Sequence, residues 1–139
     1  MILSNQTIKL LAIFVSLLVV DIPVLILLNP LWKKTVFGVQ HKELIPNKYY
    51  AFITYILLTY GLYMYVYKNI NKNDWKNDTL VKGFIFGIVI YGVFDFTNLA
   101  IFSNYPFNTA IIDTLWGGLL MAITTNFVYY LFEIKKIIK

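Results

Sequence analysis

The chain has 139 residues, of which 59% are hydrophobic and only 14% charged, against about 25% in soluble domains. With a mean hydropathy of +0.67, this composition excludes an ordinary soluble domain and points to an integral membrane protein. Cysteine is absent, which excludes disulfides, thiolate metal sites and Cys nucleophiles. The net charge of +5 comes from lysines, with no arginine in the chain. Most of them stand at the ends of apolar segments, where they meet lipid head groups, so they are no nucleic-acid footprint.

Four apolar segments follow in chain order, at roughly 8–28, 48–68, 80–102 and 108–132. Each is long enough to cross about 30 Å of hydrocarbon as a helix. The first has too long an apolar run for a secretory signal and no small-x-small cleavage site after it, so it reads as an uncleaved anchor. Between the first two segments, Asn29–Asn47 is bounded by Pro30 and Pro46. Its Leu31, Trp32, Val36 and Phe37 alternate with Lys33, Lys34, Gln40 and His41, which fits either a short interfacial helix or an irregular loop anchored by Trp32. His41 is expected to be solvated. The polar stretch Asn69–Thr79 joins the second and third segments, and a few residues around Asn104–Pro106 join the third and fourth, forcing an antiparallel hairpin.

Lysine placement sets the orientation. With four spans, Lys9, Lys68, Lys72, Lys76, Lys82, Lys135, Lys136 and Lys139 share one side, and Lys33, Lys34, Lys42 and Lys48 the other. The excess places both termini in the cytoplasm. Asn5-Gln6-Thr7 and Asn77-Asp78-Thr79 match the glycosylation pattern but would then face inward.

Three of the seven acidic residues, Asp21, Asp95 and Asp113, lie inside these apolar segments. A carboxylate near a bilayer centre costs about 2.5–3.5 kcal/mol on the insertion scale, and each Leu, Ile, Phe or Val returns only about 0.3–0.6. On the four-span topology all three fall in one layer, roughly 8–10 Å below the outer boundary at about 1.5 Å per residue. Asn98 follows Asp95 by one helical turn with Thr97 beside it, and Trp116 and Gly117 stand in the same relation to Asp113. In the second segment the matching depth holds Thr54 and Tyr55, with Tyr60 deeper. Pro23 leaves the Val19 carbonyl without its helical donor near Asp21. Gly83 and Gly87 form a GxxxG spacing whose face continues through Tyr91 to Asp95, so they are expected at a helix-packing contact. Thr124, Thr125 and Asn126, deeper in the last segment, are expected to bond to neighbouring backbone.

Carboxyl groups that converge in such a layer repel, so one is expected to hold a proton at neutral pH. No lysine lies within the layer to neutralise them, and the resulting acidic pocket suits a proton or a small cation. His-x-x-x-His, Ser-His-Asp and phosphate-cradling glycine loops are absent, which argues against zinc, hydrolase and nucleotide chemistry. No cofactor, metal or nucleic-acid partner is expected. The expected partners are the lipid bilayer and further copies of the chain, because four helices enclose little lumen.

The stretch Tyr91-Gly-Val-Phe-Asp-Phe-Thr-Asn-Leu-Ala100, followed by Asp113-Thr-Leu-Trp-Gly117, resembles the hallmark of a family of small predicted membrane proteins, the domain of unknown function DUF2177. That family carries Y-x-x-Y-D-L-T-N-L-A, a short gap, then V-D-x-x-W-G. Its first span has an Asp in an L-I-D-x-x-W-L setting, where this chain has Val-Val-Asp21-Ile-Pro-Val-Leu; Val24 replaces the Trp and Pro23 intrudes. The resemblance runs from about residue 10 to 132. It implies a four-span membrane protein of no established activity and adds weight to Asp21, Asp95, Thr97, Asn98, Asp113, Trp116 and Gly117 as a set.

The sequence therefore reads as one all-α domain over residues 1–139, an integral, multi-pass membrane bundle of four transmembrane helices with both termini cytoplasmic. Transport or permeation of a proton or cation through the acidic layer is the leading function. A non-catalytic scaffold or assembly protein, and an intramembrane enzyme acting on a lipid or isoprenoid, are the alternatives. The orientation has a direct check: expressed in a eukaryotic host, the protein should stay unglycosylated at Asn77, and a glycan there would reverse the topology.

Overall fold

The computed structural model describes residues 4–136; Lys139, counted in the orientation argument, lies outside them. Helix α1 (Asn5–Leu27) starts where the Ser4 side chain accepts from the Thr7 N–H at 3.1 Å, satisfying one of the donors a helix start leaves open. It runs through Pro23. Helix α2 (Asn29–Gln40) has Pro30 in its first turn and closes at His41, which adopts a left-handed conformation with φ 54°. The Asn29–Asn47 connection is thus a helix over Asn29–Gln40. It is no mere surface ornament: Thr35 is buried and hydrogen-bonds to Thr109 at 2.9 Å, fastening α2 to the last helix.

Helix α3 (Lys48–Gly61) is capped by the Asn47 side chain, which accepts from the Tyr49 N–H at 3.0 Å. The helical path then changes pitch, through a π turn at Leu62–Val66 and a 3-10 turn at Tyr67–Asn69. After a short 3-10 turn at Lys72–Asp74 come α4 (Trp75–Ile101) and α5 (Phe107–Tyr129), the latter ending in a second π turn at Tyr130–Ile134. Among the described residues the fold is all-helical, without strands. Among the described residues, three helical stretches are long and apolar enough to cross a membrane: Asn5–Leu27, Lys72–Ile101 and Phe107–Ile134. The expected span 48–68 is helical from Lys48 to Asn69, leaving α-helical pitch after Gly61 through one wider and one tighter turn.

The α4–α5 hairpin is the centre of the bundle. Its turn is held by a Tyr105 N–H bond to the Phe102 carbonyl at 3.1 Å. The two helices run in opposite senses, as the facing pairs Thr79–Asn126, Gly83–Ala122, Gly87–Gly117 and Asp95–Thr114 show. Glycine makes the approach close. A Cβ on Gly83 would stand 2.8 Å from the Ala122 Cα, and one on Gly87 would stand 2.1 Å from the Gly117 carbonyl oxygen. Small residues at a membrane-helix contact allow this backbone-to-backbone packing. Helix α1 and the π turn after α3 complete the core, with Ile13, Leu17, Leu62, Val66, Leu120 and Met121 buried together.

The outward faces stay apolar. Val19, Ile53, Val89, Val93 and Phe127 are all exposed, as expected where hydrocarbon rather than water is the solvent. Of the deeper polar groups of α5, the Thr125 hydroxyl donates to the Met121 carbonyl at 2.7 Å as expected. The Asn126 amide instead donates across to the Thr79 hydroxyl of α4 at 2.8 Å, and the Thr124 hydroxyl has no protein partner among the described residues.

The glycine contact yields a mutational expectation. Gly87→Ala should cost about 1–3 kcal/mol, the usual penalty of overpacking, measured as reversible unfolding in mild detergent. Gly92→Ala, whose Cβ would meet nothing nearer than the Thr114 Cγ2 at 3.5 Å, should be close to neutral. Equal tolerance at both positions would contradict the close packing.

Candidate functional site

Asp21, Asp95 and Asp113 are all buried, with relative exposures of 5%, 0% and 7%. Each reaches the interior from a different helix: Asp21 from α1, Asp95 from α4 and Asp113 from α5. Register explains the α4 residue. Asp95 continues the face of Gly83, Gly87 and Tyr91, and that face is pressed onto α5 by the glycines.

The Asp21 carboxylate accepts two hydrogen bonds, from the Tyr55 hydroxyl at 2.6 Å and from the Trp116 indole N–H at 2.8 Å. One side chain therefore ties α1 to both α3 and α5. The Asp95 carboxylate accepts from the Tyr105 hydroxyl at 2.8 Å and from the Thr114 hydroxyl at 3.1 Å. Tyr105 belongs to the hairpin turn and folds back over the site. Burial, together with its bond to Asp95, pushes the Tyr105 phenol above its ordinary range, so it remains a hydrogen-bond donor. Asn98 lines the same cleft as Tyr105.

Asp113 adjoins Thr114, whose hydroxyl bonds to Asp95, so the two buried acids belong to one stretch of the α4–α5 contact. Two carboxylates that come together repel strongly unless one carries a proton. Tyr91 is seated on Gly117: a Cβ there would come within 2.2 Å of its ring. Neither ion pair among the described residues, Lys9–Glu133 and Lys82–Asp78, involves these aspartates.

The seven sequence-selected residues thus divide. Asp21 and Trp116 form a clasp, Asp95 and Asp113 a carboxyl pair, Gly117 the floor under Tyr91, and Asn98 the edge of a cleft. That cleft holds about 180 Å³ and is lined by Asn98, Tyr105, Trp32, Thr35, Gln40 and Phe94 among others. Thr97 is exposed on the outer face of α4 and stands apart from the cluster. Of the span-two residues, Tyr55 enters the site, whereas Thr54 bonds back to the Tyr50 carbonyl at 3.0 Å and Tyr60 is exposed. Tyr105 and Thr114, both absent from the sequence-selected set, supply the donors to Asp95. Among the described residues no group of three or more His, Cys, Asp or Glu side chains is arranged to hold a metal.

Long apolar helices closing around a buried acidic cluster define a helical membrane protein. The chain belongs to the family described as predicted membrane protein (DUF2177), which matches residues 6–130. No curated protein and no solved structure matches the chain.

The clasp around Asp21 is open to measurement. Tyr55→Phe and Trp116→Phe should each lower stability by about 0.6–1.7 kcal/mol, the range of interhelical side-chain hydrogen bonds in membrane proteins. Thr54→Val, which removes only a bond within one helix, should change it by much less. A double-mutant cycle of Tyr55→Phe with Asp21→Ala that shows no coupling energy would remove the clasp from the account.

Proposed function

We propose that the protein is a multi-pass membrane protein in which the Asp95–Asp113 pair binds and releases a proton or small cation, serving transport or permeation. The observation that carries this reading is the pair itself. Two buried carboxyl groups, from adjacent helices, lie in one stretch of the contact between them, with no lysine paired to either among the described residues. Buried acids that pair with one another rather than with a cation commonly mark ion pathways in membranes. The cleft beside Asn98 and Tyr105 supports an approach to Asp95 from one end of the bundle.

The membrane arrangement in this reading has four crossings. Support for the fourth comes from the unbroken helical path Lys48–Asn69, which has the length for about 30 Å of hydrocarbon despite its changes of pitch. Both termini are then cytoplasmic, on the lysine count, and the carboxyl pair lies toward the outer surface. The small cross-section of such a bundle favours a homo-oligomer as the working unit.

A scaffold or assembly role is the second reading, and one observation favours it. Every carboxylate oxygen of Asp21 and Asp95 already accepts a bond from another part of the fold. In this reading the acids, so engaged, fix helix pairing.

Substitution separates the two. In proteoliposomes the wild-type protein should give a pH- or cation-dependent flux that falls at least tenfold in Asp95→Asn or Asp113→Asn, with thermal stability little changed. Should Asp95→Asn behave as wild type while Asp95→Leu fails to assemble, the carboxyl is structural and the transport reading is lost.

A further inference from the structure

A second cleft lies at the opposite end of the bundle. Lys9 precedes Asp21 by about 18 Å of helix at ~1.5 Å per residue, and Glu133 lies far beyond Asp113, in the π turn that follows α5. There, Lys9, Lys68, Lys72, Tyr63, Tyr67 and Glu133 line a cleft of about 230 Å³. The start of α1, the end of the α3 path, the turn before α4 and the end of α5 all contribute to it.

The charges are unbalanced. Glu133 is bound by Lys9 and by the Tyr67 hydroxyl, which uses one of the three lysines and fixes it over the Tyr67 ring at 5.7 Å. Lys68 lies over the Tyr63 ring at 6.0 Å, and neither Lys68 nor Lys72 is ion-paired among the described residues. Three ammonium groups against one carboxylate leave the cleft with two positive charges to spare.

The backbone is also unusual there. Both π turns among the described residues border this cleft. Leu62–Val66 carries Tyr63 and is followed at once by Tyr67 and Lys68, and Tyr130–Ile134 carries Glu133. The Lys135 N–H donates to the Tyr130 carbonyl five residues back, at 2.9 Å. A π turn interrupts the α-helical register and re-aims the side chains beyond it, and such turns occur frequently at functional sites. Two in one fold, on different helices and facing one cleft, mark it as built.

We propose that this cleft binds a phosphate monoester, whose two negative charges match its surplus, with Lys68 and Lys72 as the principal donors and Lys9 held in place by Glu133. Basic pockets between helices at the cytoplasmic face suit lipid phosphates. The same chemistry is offered by an anionic lipid head group and by a soluble metabolite.

The test uses the full chain in phosphatidylcholine nanodiscs, with phosphatidic acid as the lipid probe and glycerol phosphate as the soluble one. Binding is read by native mass spectrometry for the lipid and by calorimetry for the soluble ester. Lys68→Gln with Lys72→Gln should weaken binding by about fivefold per lysine. Lys33→Gln with Lys34→Gln, the same charge change at the other end, should leave it unaltered. Glu133→Gln should tighten it. Retention of phosphatidic acid alone identifies a membrane ligand, and binding of glycerol phosphate alone a soluble one; either supports the site. Failure of both probes to bind, or equal losses in the two lysine pairs, overturns it.

Discussion

Everything in this bundle rests on how closely α4 approaches α5. Hydrocarbon offers helices no hydrophobic reason to associate, so packing and polar contacts must supply the attraction. Gly83 and Gly87 let the α4 backbone lie directly on Gly117, Gly118 and Ala122. That contact has a consequence one turn away. It buries Asp95 and Asp113 in the same helix contact, and it brings the Thr114 hydroxyl under Asp95 at 3.1 Å. The packing of small residues and the convergence of the acids are therefore a single feature. A wider helix separation would admit other side chains between the carboxyls and relax their interaction.

The remaining helices are arranged by the need to satisfy polar groups that water cannot reach. Asp21 draws Tyr55 and Trp116 to itself, so that α1, α3 and α5 are mutually positioned by one carboxylate. Thr35 and Thr109 do the same for α2. At the other end, Glu133 joins Lys9 of α1 to Tyr67 beyond α3. Helix α5 takes part in each of these ties through Trp116, Thr109 and the Glu133 that follows it, which accounts for its being far more deeply buried than α1 or α4. Polar side chains thus determine which apolar faces are left to meet lipid.

Much of this was legible in the chain because a membrane imposes few choices. Apolar length located α1, α4 and α5, and the short Asn104–Pro106 connection required the hairpin. The energetic cost of a buried acid singled out Asp21, Asp95 and Asp113. Their partners were harder to see. Thr114 follows only from the hairpin register, in which residues such as Thr79 and Asn126 stand opposite each other; placing the turn correctly would put Thr114 near Asp95. Tyr105 belongs to the turn itself, and no periodicity indicates that a turn residue folds back into the bundle. Thr97 shows the reverse limit: adjacency in sequence to Asp95 and Asn98 says nothing of direction, since neighbouring positions on a helix diverge by about 100°. The change of pitch after Gly61 was equally invisible, because Leu62–Val66 has the composition of an ordinary apolar helix.

The donors around Asp95 bear on which cargo the proposed site would accept. A metal cation such as calcium needs six to eight oxygen ligands, and magnesium a near-octahedral set of them. Here the hydroxyls of Tyr105 and Thr114 present hydrogens, not lone pairs, to the carboxylate. Coordinating a metal would mean turning both away and giving up two bonds in a buried setting, at about 1–3 kcal/mol for each polar group left unpaired. A proton asks for no such rearrangement. It can sit between Asp95 and Asp113 while the same hydroxyls continue to donate, and its loss leaves a carboxylate they already stabilise. Within the proposed reading, the hydrogen-bond geometry therefore favours proton exchange over the binding of a metal cation. The Tyr105 hydroxyl, at the junction of the pair and the cleft beside Asn98, is then the group past which the proton would move.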